Sequence, residues 1–170
     1  REPLDPVRFM GNKSTGHMGV ALARAALKRG MEVTLVGAHL EVAPPAGVTF
    51  IPVSTANELH QAMLAHQSEA DVVVMAAAVA DWIPTEVSEE KIRKEDIGDE
   101  WTLKLHKSPD ILTELVAKKP ANQKIVGFAA ETQDDAAARE KNARDKLRLK
   151  GVDVLVLNQV GVGLGFGEVE

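Results

Sequence analysis

No cysteine and no tyrosine occur among the 170 residues. The first absence excludes disulfides, thiolate metal sites and a cysteine nucleophile, and it fits a reducing cytoplasm. The second excludes any mechanism built on a tyrosine hydroxyl. No apolar run approaches the length of a membrane span. The five histidines, His17, His39, His60, His66 and His106, show no paired metal-ligand spacing and read as surface or helix positions. A net charge of −5 gives no reason to expect a nucleic-acid polymer or an anionic membrane as partner. The opening residues, Arg1-Glu2-Pro3-Leu4-Asp5-Pro6, do not read as a signal peptide. What is present is ordinary for a globular chain: 45% hydrophobic and 26% charged residues, in a length that suits one domain with a sizeable core. No internal repeat or low-complexity tract is visible.

The hydrophobic pattern alternates strands with helices. Ser14-Thr15-Gly16 precedes a helical stripe of Met18, Leu22, Ala25 and Ala26, stopped at Gly30. Strands are expected at 32–36, 48–53, 71–78, 124–130 and 153–157. The run Val72-Val73-Val74-Met75-Ala76 is apolar on both faces, as in a central parallel strand. Ser54 or Thr55 caps a helix reaching about His66, with Glu58 placed for a capping box. A helix capped by Ser108, with Pro109 in its first turn, ends near Lys118. A further helix spans 134–150 and stops at Gly151. Residues 80–107 break the rhythm with a charged excursion that returns through an alternating strand at 101–105. The expected fold is therefore α/β: Rossmann-like, three-layered, with a mainly parallel central sheet and a flap-and-strand excursion at about 80–107. We read 1–170 as one nucleotide-binding domain from a longer chain, with both ends incomplete: no strand precedes the first loop, and a new strand begins near Gly165-Phe166-Gly167.

In such sheets ligands sit beyond the carboxyl ends of the strands, and the suggestive segments fall there. The small-residue loop 11–19 lets backbone N–H groups approach an anion while the following helix offers its positive end; otherwise it is a capped turn. It matches neither Gly-x-Gly-x-x-Gly nor a Walker A loop. Met75-Ala76-Ala77-Ala78-Val79-Ala80-Asp81-Trp82 leaves room for a bound molecule, with Asp81 as acceptor for a ribose hydroxyl, metal ligand or simple turn residue. Glu90-Lys91-Ile92-Arg93-Lys94 is either a polyphosphate-neutralising lid or a solvated face. Lys107 stands at a helix start, where a cation opposes the dipole unless it serves an anion. Phe128 lines a base pocket or the core, and Glu131 is a general base or a solvated loop residue.

Taken together, Arg1-Glu2-Pro3-Leu4-Asp5-Pro6-Val7-Arg8, Asn12-Lys13-Ser14-Thr15-Gly16, Ala76-Ala77-Ala78-Val79-Ala80-Asp81, Lys91-Ile92-Arg93-Lys94, Pro109-Asp110-Ile111 and Val126-Gly127-Phe128-Ala129-Ala130-Glu131-Thr132 resemble, in order and over nearly the whole chain, the phosphopantothenoylcysteine synthetases. The resemblance implies a ligase of coenzyme A biosynthesis. It would activate phosphopantothenate with CTP, forming an acyl-cytidylate and pyrophosphate, then join it to cysteine with release of CMP. It also implies magnesium, a homodimer, and fusion to a decarboxylase domain that carries FMN outside this chain. By the same resemblance Asn12 and Lys91 are catalytic, and Arg8, Asn12 and Ala78 contact phosphopantothenate. Ser14, Gly16, Gly19, Asp81, Lys91, Lys107 and Phe128 contact the nucleotide, and Asp81 is the candidate metal ligand. Trp82 falls where the family usually has an aromatic residue. Arg93 departs from a common Lys with its charge kept, and Lys13 stands where Arg or His is frequent.

Two rivals remain. A nicotinamide-dependent oxidoreductase is favoured by the faint likeness of 14–19 to short-chain reductases. It is opposed by the missing tyrosine of their Tyr–Lys pair and by a second strand ending Val36-Gly37-Ala38 with no acid for a ribose. A non-catalytic nucleotide-binding module is the other, since a fold alone never establishes function.

Overall fold

The computed structural model describes residues 1–132 and 135–161. A short antiparallel ribbon opens the chain, β1 (Glu2–Pro3) against β2 (Phe9–Met10). Helix α1 (His17–Leu27) leads to β3 (Thr34–Ala38) and β4 (Thr49–Val53), paired in parallel. Helix α2 (Ala56–Gln67) crosses to β5 (Val72–Met75). The excursion follows: β6 (Trp82–Pro84), the single-turn α3 (Lys94–Ile97) and β7 (Leu105–Lys107), with β6 and β7 antiparallel. Helix α4 (Ile111–Lys118), β8 (Lys124–Glu131), α5 (Ala136–Lys150) and β9 (Val154–Gln159) complete the order. Strands β5, β8 and β9 form a parallel sheet with β8 central. The α/β reading with parallel strands thus holds, although among the described residues the parallel strands fall in two groups, β3–β4 and β5–β8–β9.

Local chemistry sets most boundaries. Thr55 caps α2, its hydroxyl accepting from the Glu58 N–H at 3.2 Å while the Glu58 carboxylate accepts from the Ser54 N–H at 2.6 Å. Gly151 ends α5 at φ 67°, where a side chain would be strained. Asp135 caps the same helix through two N–H bonds, so the predicted start at Asp134 lies outside the described residues, as does the predicted strand near Gly165. Three expectations need correction. Asp110, not Ser108, caps α4: its carboxylate takes the Thr113 N–H and also pairs with Lys150, which a serine hydroxyl would not hold as an ion pair. The alternating run 101–105 is not the strand; pairing with β6 begins at Leu105, with Thr85 N–H to the Lys104 carbonyl as the last rung. Strand β5 is apolar on both faces, yet only Val73 and Met75 are buried while Val72 is 51% exposed. Val73 and Met75 pack with Leu59 of α2 and Ile111 and Leu115 of α4, whereas Val72 and Val74 on the opposite face are exposed. Val73, Met75, Leu59, Ile111, Leu115, Ile125 and Val152 form the core.

Asp153 ties β9 to the start of β8. Its carboxylate accepts from the Ile125 N–H at 2.9 Å and pairs with Lys119 at 2.8 Å and Lys124 at 3.4 Å. Lys119 and the Ile125 amide outweigh the opposing effect of burial and lower its pKa from 3.8 to about 2. A depressed acid stabilises the fold above its unfolded pKa and loses that contribution as pH falls through the folded value. The stability lost in Asp153→Asn is therefore expected to be full at neutral pH and to fade as pH drops from 3.8 towards 2. Thermal melts of both proteins across that range test this; a constant difference contradicts it.

Candidate functional site

The strip that follows β5, the loop before α1 and the base of the excursion are joined by a few specific bonds. Asn12 lies between β2 and α1, and its side-chain amide donates to the Val79 carbonyl at 2.9 Å, with the Ala78 carbonyl at 3.5 Å. Two segments picked from the sequence on separate grounds, the small-residue loop and the strip after β5, are thus joined side chain to backbone. Just beyond Val79, the Asp81 carbonyl accepts from the Ser108 N–H at 2.9 Å and Trp82 pairs with Lys107 across the β6–β7 ladder. Asp81, Trp82 and Lys107 therefore share one end of the hairpin. In the parallel register Met75 faces Gly127, so Phe128 stands one residue beyond the end of β5, at the mouth of the same region.

The start of α1 suits an anion. Gly16 occupies the cap position at φ 78° and the helix has no side-chain cap bond. The Thr15 hydroxyl reaches only the His17 N–H, at 3.5 Å. Exposed N–H groups and the positive helix end are the usual ingredients of a phosphate site. Gly16 is also required structurally, because a Cβ there would lie 2.3 Å from the Leu40 side chain on a left-handed backbone. Gly19, in the first turn, faces open space, so no steric reason accounts for it. Ser14 is exposed in the loop ahead of the cap.

Arg8 is engaged in a way the sequence does not reveal. Its guanidinium donates to the Asp5 carboxylate at 2.5 Å and, from the same nitrogen, to the Ile92 carbonyl at 2.9 Å. Asp5, 3% exposed, also accepts from the N–H groups of Val7, Arg8 and Ile92 at 2.8, 2.7 and 3.2 Å. Burial pushes its pKa up, but these four donors prevail and hold it below the ordinary aspartate value. Ile92 is the residue between Lys91 and Arg93, so the predicted basic flap is fastened at its middle to the turn that carries Arg8. Lys91, Arg93 and Lys94 themselves are exposed. Sequence reasoning passed over Asp5 as a site residue. The signal was local, an Asp-Pro turn whose carboxylate can take the N–H groups two and three residues on, but the contact with Ile92 spans 87 residues.

Glu131 is neither solvated nor poised as a base. It is 8% exposed and bonded to Lys146 at 2.5 Å, and that partner lowers its pKa against the effect of burial. No three His, Cys, Asp or Glu side chains among the described residues cluster as a metal site. A magnesium ion shared between nucleotide phosphates and one or two carboxylates needs no such cluster, and Asp81 is the candidate for it. No helix among the described residues is long and apolar enough to cross a membrane.

Residues 1–170 match the family described as the DNA/pantothenate metabolism flavoprotein C-terminal domain. The chain belongs to that family. Relatives of this flavoprotein C-terminal domain include the coenzyme A biosynthesis bifunctional protein CoaBC of Mycobacterium tuberculosis, 46% identical over 172 residues, which cover 98% of this chain and 41% of that protein. The chain thus spans about two fifths of the curated relative it matches. The crystal structure of the C-terminal domain of a CoaBC protein is 38% identical and superposes with a TM-score of 0.78, covering 93% of this chain and 71% of the other. A Cab2 variant in complex with phosphopantothenate-cysteine shares the fold at 18% identity, with a TM-score of 0.77 over 94% of this chain and 69% of the other.

Proposed function

We propose that this chain is the ligase part of a coenzyme A biosynthetic protein, a phosphopantothenate–cysteine ligase that uses CTP. The observation that carries the reading is the bond from Asn12 to the Ala78–Val79 strip beside the uncapped start of α1, in a chain of this family. It gives one site an anion cradle and a neutral amide side by side.

The residues then have these tasks. Ser14 and the N–H groups around Gly16 and Gly19 hold the triphosphate, and Lys91 and Lys107 neutralise it. Asp81 attends the ribose or the magnesium ion, which supplies charge neutralisation of the phosphates when bound, and Phe128 borders the base. Arg8 and the Ala78 backbone place phosphopantothenate. Its carboxylate attacks the α-phosphorus of CTP, pyrophosphate leaves, and the acyl-cytidylate forms. The cysteine amine then attacks the acyl carbon, CMP leaves with the carboxylate oxygen, and the amine proton passes to solvent. Asn12, uncharged, donates a hydrogen bond to the activated acyl group without binding the free carboxylate as an ion pair. In the assembled protein we place the chain in the cytoplasm, as a homodimer fused to the FMN-dependent decarboxylase named above. The nicotinamide reading rests on the faint likeness of 14–19 alone, and no structural observation favours it.

Nucleotide competition tests the proposal. With phosphopantothenate and magnesium present, pyrophosphate release is expected with CTP and not with NADPH. Saturable NADPH binding with no response to CTP would overturn it.

A further inference from the structure

The basic segment is held by its backbone. Three long-range hydrogen bonds dock residues 88–92 on the 4–8 turn: Ser88 N–H to the Leu4 carbonyl at 3.0 Å, Ile92 N–H to the Asp5 carboxylate at 3.2 Å, and the Arg8 guanidinium to the Ile92 carbonyl at 2.9 Å. Both backbone groups of Ile92 are thereby taken, one by a buried anion and the other by the cation paired with that anion. Such a two-pronged hold fixes position and direction together, because neither bond survives a rotation of the segment about the other. It reads no feature of the Ile92 side chain, so its evident effect falls on the neighbours, Lys91 and Arg93, which stand exposed on either side. From the same turn the chain runs through β2 to Asn12. One carboxylate thus sets the direction of the cationic segment relative to the loop that begins α1.

We infer that Asp5 is a positioning residue of the ligase site, acting through Ile92 to hold Lys91 over the nucleotide phosphates. The inference rests on the proposed ligase function for its catalytic consequence but not for the contact itself. Asp5 touches neither substrate nor nucleotide in this scheme; its effect passes through Lys91.

A double-mutant cycle in the full-length protein separates this from a general structural role. Asp5→Asn keeps the size and an acceptor for the turn while losing the charge that holds Arg8. It is expected to lower kcat for CTP-dependent pyrophosphate release about tenfold, the loss of a little over one kcal/mol of transition-state placement. In a Lys91→Gln background the same change is expected to cost less than about twofold, because the side chain it positions is already gone. An equal loss in both backgrounds, or none in either, overturns the inference. Amide hydrogen exchange supplies the arm that does not depend on activity: Asp5→Asn is expected to speed exchange at Ile92 and at Ser88 while leaving β8 unchanged. Unchanged exchange at Ile92 overturns the inference even if activity falls. If the parent protein shows no phosphopantothenate-dependent pyrophosphate release, the ligase reading fails while the exchange arm still decides the clamp. Should Asp5→Asn not fold, Asp5→Glu serves in its place, since it keeps the charge but displaces the carboxylate by one methylene from the Ile92 N–H it now accepts from.

Discussion

Asn12→Asp is expected to lower kcat about a hundredfold or more while leaving nucleotide affinity little changed. The magnitude is that of losing one well-placed donor to developing charge. Three effects add. A carboxylate cannot donate to the activated acyl group, and its charge opposes the electron-rich phosphate being displaced. The third is visible in the structure: the Asn12 amide donates to the Val79 carbonyl at 2.9 Å, and a carboxylate at that distance would face a carbonyl oxygen with no proton between them. The Ala78–Val79 strip would then shift away from the loop. Asn12→Ala removes the donor without the repulsion, so it should be less damaging than the aspartate. Steady-state kinetics with equilibrium CTP binding for the three proteins check this. Equal activity of Asn12→Asp and the parent removes Asn12 from the mechanism, and an aspartate no worse than the alanine removes the repulsion.

Gln123→Leu carries the largest expected effect on stability. Gln123 is fully buried and donates to the Gln67 and Ala70 carbonyls, each at 2.6 Å. It accepts from the Gln67 side chain at 3.0 Å, and that side chain also donates to the Leu115 carbonyl at 2.5 Å. This small network joins the end of α2, the middle of α4 and the residue before β8, where each helix runs out of its own partners. No buried side-chain nitrogen or oxygen among the described residues lacks a bond. Leucine fills the volume but leaves the Ala70 carbonyl and one Gln67 proton unpaired, at a cost of about 3 kcal/mol. For a chain of this size that lowers Tm by about 6–12 °C. The network lies away from the candidate site, so the activity of the folded enzyme at low temperature should be retained. A melt unchanged within about 2 °C would show that the network contributes nothing net.

The parallel pattern was legible because apolar strands, caps and stops reinforce one another locally. Thr55 with Glu58, Gly151 at the end of α5, and the run through β8 all depend on residues near in sequence. Asn12, Ala78, Asp81 and Lys107 were singled out by segment, and the structure brings their segments together. What escaped was set by distant partners. The ribbon β1–β2 and strand β6 are too short for any periodicity to appear. The choice of Asp110 over Ser108 as cap is decided partly by Lys150, 40 residues on. The exposed side of β5 follows from which face the helices cover, which composition does not encode. By resemblance Arg8 is a contact for phosphopantothenate, whereas its guanidinium is also half of a clamp on Ile92. Asp5, the other half, has no local mark of burial.

The central claim is that one site activates a carboxylate with CTP and then passes it to an amine. A single-turnover experiment tests it most directly: enzyme, magnesium, phosphopantothenate and CTP labelled in the α-phosphate, first without cysteine and then with it. The account predicts pyrophosphate release up to one per site while the label stays bound as acyl-cytidylate, followed by prompt release of labelled CMP when cysteine is added. Pyrophosphate formed without phosphopantothenate, or CMP released at the same rate before and after cysteine, would contradict it.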